Sequence, residues 1–184
     1  MRRGARHNRI MFGPPGLTPR ARATWFAHAW KALTRQHHME LAAVLRRFIG
    51  GDAVVFDAGS HAGQFSKLFA RLAPAGQVYA FEPSEYARSI LTLALRAHRL
   101  NGVEVVPAAL GDAEGSLTLT TPIKSAGSVR YGLAHLGNGG GGVRTETVPV
   151  TTLDAFVAEH GVGRFDFLKA DIEGWEMRAL VGGA

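Results

Sequence analysis

Two carboxylates and two glycines follow short apolar runs in the middle of the chain. Asp57 comes directly after one such run, Glu82 comes after the next, and Gly59 and Gly63 lie between them. Short apolar runs that alternate with helical segments are typical of a parallel sheet, whose strands end at one common edge. Ligands of such sheets bind outside the carboxyl ends of the strands. The spacing therefore predicts a nucleotide-type cofactor site at this edge.

The class of cofactor follows from the two acids. Glu82 lies about 20 residues beyond the glycines, where a carboxylate can accept hydrogen bonds from both ribose hydroxyls of NAD or of S-adenosylmethionine. A dinucleotide would place its pyrophosphate on the glycine turn, where Asp57 would repel it, whereas S-adenosylmethionine has no phosphate and carries two positive charges. The turn also lacks the middle glycine of G-x-G-x-x-G, since Ser60 and His61 follow Gly59. We therefore expect S-adenosylmethionine, with simple turn and strand-end roles for the acids as the alternative.

A third group of polar residues, Lys169, Asp171 and Glu173, follows the last buried run. Side chains two apart on a strand share a face, so Lys169 and Asp171 are expected to point the same way. Methyl transfer to a hydroxyl requires orientation and a proton acceptor, and Asp171 is the first candidate for either role. Its alternative role is to cap the following helix. Glu176 is expected to lie in the first turn of that helix, where its negative charge interacts favourably with the helix dipole.

Other candidate ligands are isolated. His37 and His38 do not have the i, i+4 spacing that would put two ligands on one face of a helix. His135 falls in a segment predicted as a loop and is expected to be solvated. Asp171 and Glu173 lack a third ligand, so no metal is predicted.

The elements around these residues indicate an α/β domain of Rossmann-like type, with a mostly parallel sheet and flanking helices. Thr18 and Pro19 predict the start of a helical segment that runs to Phe48, as one helix or as two that break near Gln36. A loop is predicted over 121–147 and includes four glycines at 139–142. Strands are predicted over 54–56, 78–81, 103–107, 116–120, 148–151 and 165–170, and helices over 62–73, 84–100, 152–160 and from about 174.

Charge divides the 184-residue chain into a basic tail over 1–17, a helical segment over 18–50 and the cofactor-binding domain over 51–184. Residues 1–50 hold ten Lys and Arg against one acid, and the remainder holds eleven against fourteen. The main domain is thus mildly acidic, which disfavours nucleic acid as a partner, although an RNA methyltransferase that uses the basic tail stays an alternative. There is no cysteine and no apolar stretch long enough for a membrane span. A cytoplasmic protein is expected.

Five blocks of sequence, in order, resemble the FkbM family of methyltransferases. The resemblance covers the chain from about Asp52 onwards, and His61 stands where the family often has asparagine. It implies the class I methyltransferase fold. The blocks are VFDAGSHAG at 55–63, YAFEP at 79–83, VEVVPAALGD at 103–112, VPVTTLD at 148–154 and FLKADIEGWE at 167–176.

The resemblance implies O-methylation of a small-molecule hydroxyl, often on a natural product or a sugar, with S-adenosylmethionine as donor. It implies that Asp57, Gly59, His61 and Gly63 surround the donor and that Glu82 holds its ribose. It further implies that Ala109, Leu110 and Asp112 flank the adenine. Lys169, Asp171 and Glu173 are implied where the methyl group meets the acceptor.

Family members generally continue beyond the helix at Gly174 with further strands, so the sheet is expected to lack its last strands here. The strand over 165–170 would then be an open edge, through which a homodimer could form. The alternative is a relic of the fold that has lost turnover.

Overall fold

The computed structural model describes residues 13, 14, 16–122, 135–136 and 143–183. Residues 1–12 and 15 of the tail predicted over 1–17 therefore lie outside the described residues, while Leu17, at its end, packs against the cluster around Trp25. Helix α1 spans Pro19–Thr34, and the Thr18 hydroxyl caps it by accepting a hydrogen bond from the Ala21 amide. The helical segment breaks after α1, as one of the two alternatives predicted. A 3-10 turn at Met39–Leu41 and a short helix, α2, at Ala42–Leu45 follow.

In the part of the chain that the structure describes, eight strands form two four-stranded sheets. The first has the order β3-β2-β1-β8 and is entirely parallel. In the second, of order β4-β7-β5-β6, β5 runs antiparallel to both neighbours. The strands are β1 (Val54–Ala58), β2 (Gln77–Phe81), β3 (Val103–Val106), β4 (Ala109–Leu110), β5 (Gly115–Pro122), β6 (His135–Leu136), β7 (Val143–Thr151) and β8 (Phe167–Ala170).

Four further helices connect the strands. Ser84 and Thr152 cap α4 and α5, each with a side-chain oxygen that accepts a backbone N–H. The last helix begins at Glu176 and not near Gly174, because Gly174 adopts a positive φ of 91° in the preceding turn. The helices are α3 (Gln64–Leu72), α4 (Glu85–Ala97), α5 (Leu153–His160) and α6 (Glu176–Val181).

The core lies on both faces of the parallel sheet, as the continuous apolar runs predicted. On β1, Val55 faces the cluster that contains Phe69 of α3, and Phe56 faces the cluster that contains Phe156 of α5. All four side chains are buried. Helix α1 packs against α4, where the indole of Trp25 donates a hydrogen bond to the Ser89 hydroxyl at 2.8 Å.

The predicted loop over 121–147 is wrong at both ends. Strand β5 continues to Pro122, and β7 begins at Val143, so that Thr121 pairs with Arg144. Alternating threonines suit a half-exposed antiparallel strand, and that pattern outweighs the local polarity. His135, expected in the loop, lies on β6. Residues 123–134 and 137–142, including the glycines predicted to be mobile, lie outside the described residues.

The last strand occupies an edge of the parallel sheet. Among the strands that the structure describes, β8 pairs with β1 alone. It begins at Phe167, two residues later than predicted, because Asp166 turns its carboxylate to the Val54 amide at 2.8 Å. Within the described part of the chain, no helix is long and apolar enough to cross a membrane.

Candidate active site

A cavity of about 320 Å³ opens at the carboxyl ends of β1, β2 and β8, where the sequence placed the site. Its volume suits a small-molecule ligand. Eight of the eleven predicted site residues line it. These are Gly59, His61, Glu82, Ala109, Leu110, Lys169, Asp171 and Glu173.

The glycine turn after β1 adopts backbone conformations that glycine and histidine tolerate better than most residues do. Gly59 has a φ of 74°, and a Cβ there would overlap the carbonyl oxygen of Asp171. The amides of Gly59 and Ser60 both donate to the Phe81 carbonyl at 3.0 Å, which ties the turn to the end of β2. His61 has a φ of 52°. Asn and His are among the side chains that tolerate this region best, which explains why histidine can replace the family's asparagine.

Glu82 is a buried carboxylate that faces the cavity from the end of β2. The His61 amide donates to its Oε2 and the Ser84 amide donates to its Oε1, each at 2.8 Å. Burial nevertheless raises the pKa of Glu82 to about 7, and the two amides oppose that shift. Each carboxylate oxygen can accept a further hydrogen bond, so this side chain is placed to receive hydroxyl donors from a ligand.

Asp57 lies beneath the cavity and does not line it. Its carboxylate is fully buried, accepts a hydrogen bond from the Ser66 hydroxyl at 2.6 Å, and has the Lys169 ammonium 3.4 Å from Oδ1. Burial raises the pKa of Asp57, while Lys169 and Ser66 oppose the shift. The residue therefore supports the glycine turn from below, and any effect of its charge on a ligand acts through the Lys169 pair.

Lys169 lines the cavity and fastens the turn above Asp57. Its side chain is 15% exposed, and the ammonium donates to the carbonyls of Ala58 and Gly59 at 3.2 and 3.0 Å. It also lies 3.8 Å from Asp171 Oδ2, so Lys169 and Asp171 do share a face as predicted. The donors of Lys169 are thus directed to the turn and to the two carboxylates.

Asp171 and Glu173 contribute exposed carboxylates at the same end of the cavity. The Asp171 side chain is 76% exposed and does not cap α6, whose N-cap residue is Trp175. Glu173 has a φ of 56° and precedes α6, so it is not in the first helical turn. Glu176 is: its carboxylate accepts from the amides of Ile172 and Gly174, and the Ile172 bond lowers its pKa.

Besides Asp57, two residues that were predicted to bind the donor lie outside the cavity lining. Gly63 is the N-cap of α3, with a φ of 79°, and a Cβ there would overlap the Leu91 side chain. Asp112 lies beyond Leu110 and faces Arg178 of α6 at 3.8 Å. Sequence order placed Asp112 beside Leu110, but the turn after β4 carries its side chain away.

Several lining residues were missed from the sequence. Ser84, Tyr86 and Thr121 are unremarkable as sequence, since caps, helix residues and strand threonines occur everywhere. His38 lies between α1 and the 3-10 turn, next to the break that one of the two alternatives predicted near Gln36, and it was not predicted to line the site. Gln64 and Phe65 could have been found from their position directly after the glycine turn.

Metal ligation has no obvious centre here. Within the described ranges, no three His, Asp or Glu side chains group closely enough to hold a metal ion.

Comparison with known proteins adds the family. Residues 57–184 match the profile of the Methyltransferase FkbM domain. The chain is 32% identical over 162 residues to the AMB antimetabolite synthetase AmbE of Pseudomonas aeruginosa, covering 71% of this chain and 8% of that protein. It is 28% identical over 154 residues to methyltransferase sdnD of Sordaria araneosa, covering 70% and 59%.

The fold agrees with a solved structure. A crystal structure of methyltransferase FkbM from Methylobacillus flagellatus superimposes with a TM-score of 0.50 at 17% identity, over 73% of this chain and 29% of that one. The chain thus spans less than two thirds of each of these relatives. The profile match covers more than half of the chain and includes the glycine turn, Glu82 and the β8 end; this chain belongs to the FkbM methyltransferase family.

Proposed function

We propose that the chain transfers a methyl group from S-adenosylmethionine to a hydroxyl of a neutral or cationic small molecule. The observation that carries this proposal is Glu82. A buried carboxylate, held by two backbone amides and aimed into a cavity, is suited to accept hydrogen bonds from the two ribose hydroxyls of a nucleoside.

The rest of the cavity fits that donor. Ala109 and Leu110 supply an apolar wall on one side of Glu82, which suits an adenine ring. The glycine turn lacks the middle glycine of G-x-G-x-x-G, because Ser60 and His61 follow Gly59, which disfavours a dinucleotide there. S-adenosylmethionine, when bound, supplies an electrophilic methyl group on a sulfonium.

The far end of the cavity supports the acceptor class. Asp171 and Glu173 are exposed acids, whereas the Lys169 charge is shared with Asp57 and Asp171. This end would repel a polyphosphate chain, which disfavours RNA, and would tolerate a neutral sugar or an amine. In the proposed reaction Asp171 accepts a hydrogen bond from the acceptor hydroxyl and orients it.

The relatives support a small acceptor as well. One similar protein is named as an antimetabolite synthetase and another as a methyltransferase. A synthetase of an antimetabolite makes a small molecule, so a similar domain within it is consistent with a small acceptor.

The test measures S-adenosylhomocysteine formation from S-adenosylmethionine with three sets of acceptors. These are neutral sugars and phenols, amino-hydroxy compounds, and short single-stranded RNA. We expect turnover with members of the first two sets and none with RNA. Turnover on RNA alone, weakened steeply by salt, would replace this proposal with the RNA alternative.

A matched pair of variants controls the assay. Glu82→Gln should lose turnover at donor concentrations that saturate the unaltered protein, and Glu104→Gln, on the exposed side of β3, should retain it.

A further inference from the structure

His38 lines the cavity although it lies in the segment between α1 and α2, outside the matched range of the family domain. Its φ is 63°, a left-handed conformation that a non-glycine residue adopts at some cost. Such conformations persist where the surroundings fix them, and they concentrate at functional sites. The residue therefore warrants a chemical explanation.

The surroundings fix His38 through the start of α3. Its imidazole stacks on the Phe65 ring, with centroids 4.6 Å apart and planes at 10°. The adjacent backbone is held by Gln64, whose Oε1 accepts from the His37 amide at 3.0 Å and whose carbonyl accepts from the Gln36 side chain at 2.8 Å. The segment is thus docked on the residues that directly follow the glycine turn.

Phe65 also identifies which end of the cavity His38 occupies. The Lys169 ammonium lies 5.4 Å from the centroid of the same ring. Lys169 in turn lies 3.8 Å from Asp171. The imidazole therefore belongs to the acceptor end of the cavity, away from the apolar wall at Ala109.

We propose that His38 is the general base that takes the proton of the acceptor hydroxyl, a role that rests on the function proposed above. Glu40 faces Nδ1 at 3.8 Å, and its negative charge favours the tautomer that carries the proton there. That leaves the lone pair of Nε2 to act as acceptor. Imidazole is the side chain that exchanges protons most readily near neutral pH.

Proton transfer and methyl transfer both take place at the acceptor oxygen. The acceptor O–H proton moves to Nε2 of His38, and the acceptor oxygen forms a bond to the methyl carbon. The carbon–sulfur bond breaks, and its electron pair stays on sulfur. The products are a methyl ether, S-adenosylhomocysteine and an imidazolium, whose partly exposed ring returns the proton to water. Asp171 orients the hydroxyl and does not take the proton.

Charged and titratable groups face His38 from three sides. Glu40 and His37 are on its own segment, with the His37 ring centroid at 6.3 Å. The Lys169 ammonium lies over the Phe65 ring on which His38 stacks. The carboxylates that follow β8, Asp171 and Glu173, line the same cavity. These groups act on His38 equally in the complexes with S-adenosylmethionine and with S-adenosylhomocysteine. A difference between the two complexes therefore reports the effect of the sulfonium charge alone.

The test is an NMR titration of the histidine rings in protein saturated with S-adenosylmethionine or with S-adenosylhomocysteine. The two ligands differ by one methyl group and one positive charge. A sulfonium near His38 disfavours the imidazolium, so we expect its midpoint to lie roughly half a pH unit or more lower with S-adenosylmethionine. His98, at the end of α4, should titrate alike in both complexes. His38→Gln assigns the resonance.

The titration distinguishes failure of the His38 role from failure of the proposed function. Equal midpoints for His38 in the two complexes, with both ligands bound, would overturn the role of His38 and leave the proposed function intact. Binding of neither ligand would overturn both proposals. Where an acceptor is turned over, His38→Gln should lower kcat at least tenfold. The variant should also lose the rise of kcat with pH near neutrality, and it should keep its affinity for the donor. His98→Gln should leave all three unchanged.

Discussion

Lys169 and Asp57 are direct partners in the register of β8 and β1, and their charged groups lie 3.4 Å apart beneath the glycine turn. The same ammonium donates to the carbonyls of Ala58 and Gly59. One buried ion pair thus links the edge strand, the central strand and the turn that forms the cavity floor. The position of the turn depends on a contact between residues that are far apart in the chain.

Replacing one member of this ion pair should destabilise the protein more than replacing both members. Lys169→Met leaves the Asp57 charge buried without its cation, and we expect unfolding in urea to show a loss of about 2–4 kcal/mol. Adding Asp57→Asn to that variant removes the unpaired charge and should recover a large part of the loss. Additive effects in this double-mutant cycle would show that the two groups are not coupled.

Glu82 should make donor binding depend on pH. The ordinary pKa of a glutamate is 4.5, whereas the pKa of Glu82 in the folded protein is about 7. Between pH 4.5 and about pH 7, the free protein therefore keeps a proton on Glu82 that an ordinary glutamate would have lost. Ribose hydroxyls donate to the ionised form, so binding releases that proton, and affinity should rise with pH up to about 7 and then level off. Calorimetric titration with S-adenosylhomocysteine between pH 5.5 and 8.5 measures this.

Glu82→Gln, which cannot ionise, should bind the same ligand at least tenfold more weakly at pH 8 and show little slope with pH. Glu104→Gln should keep both the affinity and the slope. An unchanged slope in Glu82→Gln would assign the pH dependence to another group.

Gly59 should not tolerate a side chain, whereas Gly115 should. A Cβ at Gly59 would overlap the Asp171 carbonyl, and its φ of 74° disfavours other residues. Gly59→Ala should therefore separate β1 from the turn after β8 and abolish the thermal shift with S-adenosylhomocysteine. Gly115→Ala, where a Cβ meets no atom within 4 Å, is the matched control and should keep the shift. Full binding by Gly59→Ala would contradict the described geometry of the turn.

Lys67 should link the N-terminal helix to the domain. Its buried ammonium donates to the Ala32 carbonyl at 2.6 Å, and to that of Arg35 at 3.3 Å, and burial lowers its pKa to about 8. Lys67→Met should raise amide hydrogen exchange in α1. Lys31→Met, on the exposed side of the same helix, should not.

The sign of the pH effect at Lys67 is also fixed. An unfolded lysine keeps its proton to about pH 10.5, whereas this one releases it at about 8 in the folded state. The unfolded state thus binds more protons between these values, and this group makes stability rise with pH there. The difference in unfolding free energy between the unaltered protein and Lys67→Met should grow in favour of the former from pH 8 to 10. A constant difference would contradict the lowered pKa.

Much of the site could be predicted because strand ends are visible in the sequence. Buried parallel strands form continuous apolar runs, so the residues that follow them, Glu82 and Asp171 among them, converge at one edge. The register of β1 and β8 is not visible, and it is this register that pairs Asp57 with Lys169 beneath the turn. His38 was missed because a break near Gln36 does not reveal which side chains of that segment reach the cavity.

The most direct test of donor binding is a thermal unfolding experiment with S-adenosylmethionine, S-adenosylhomocysteine, NAD or no ligand. A ligand at about 100 times its dissociation constant adds about 2.7 kcal/mol to the free energy of unfolding. We predict a rise in Tm with the first two ligands, none with NAD, and a reduced rise in Glu82→Gln at the same ligand concentrations. A rise with NAD alone, or none with any ligand in a protein that unfolds cooperatively, would contradict the assignment of this cavity to S-adenosylmethionine.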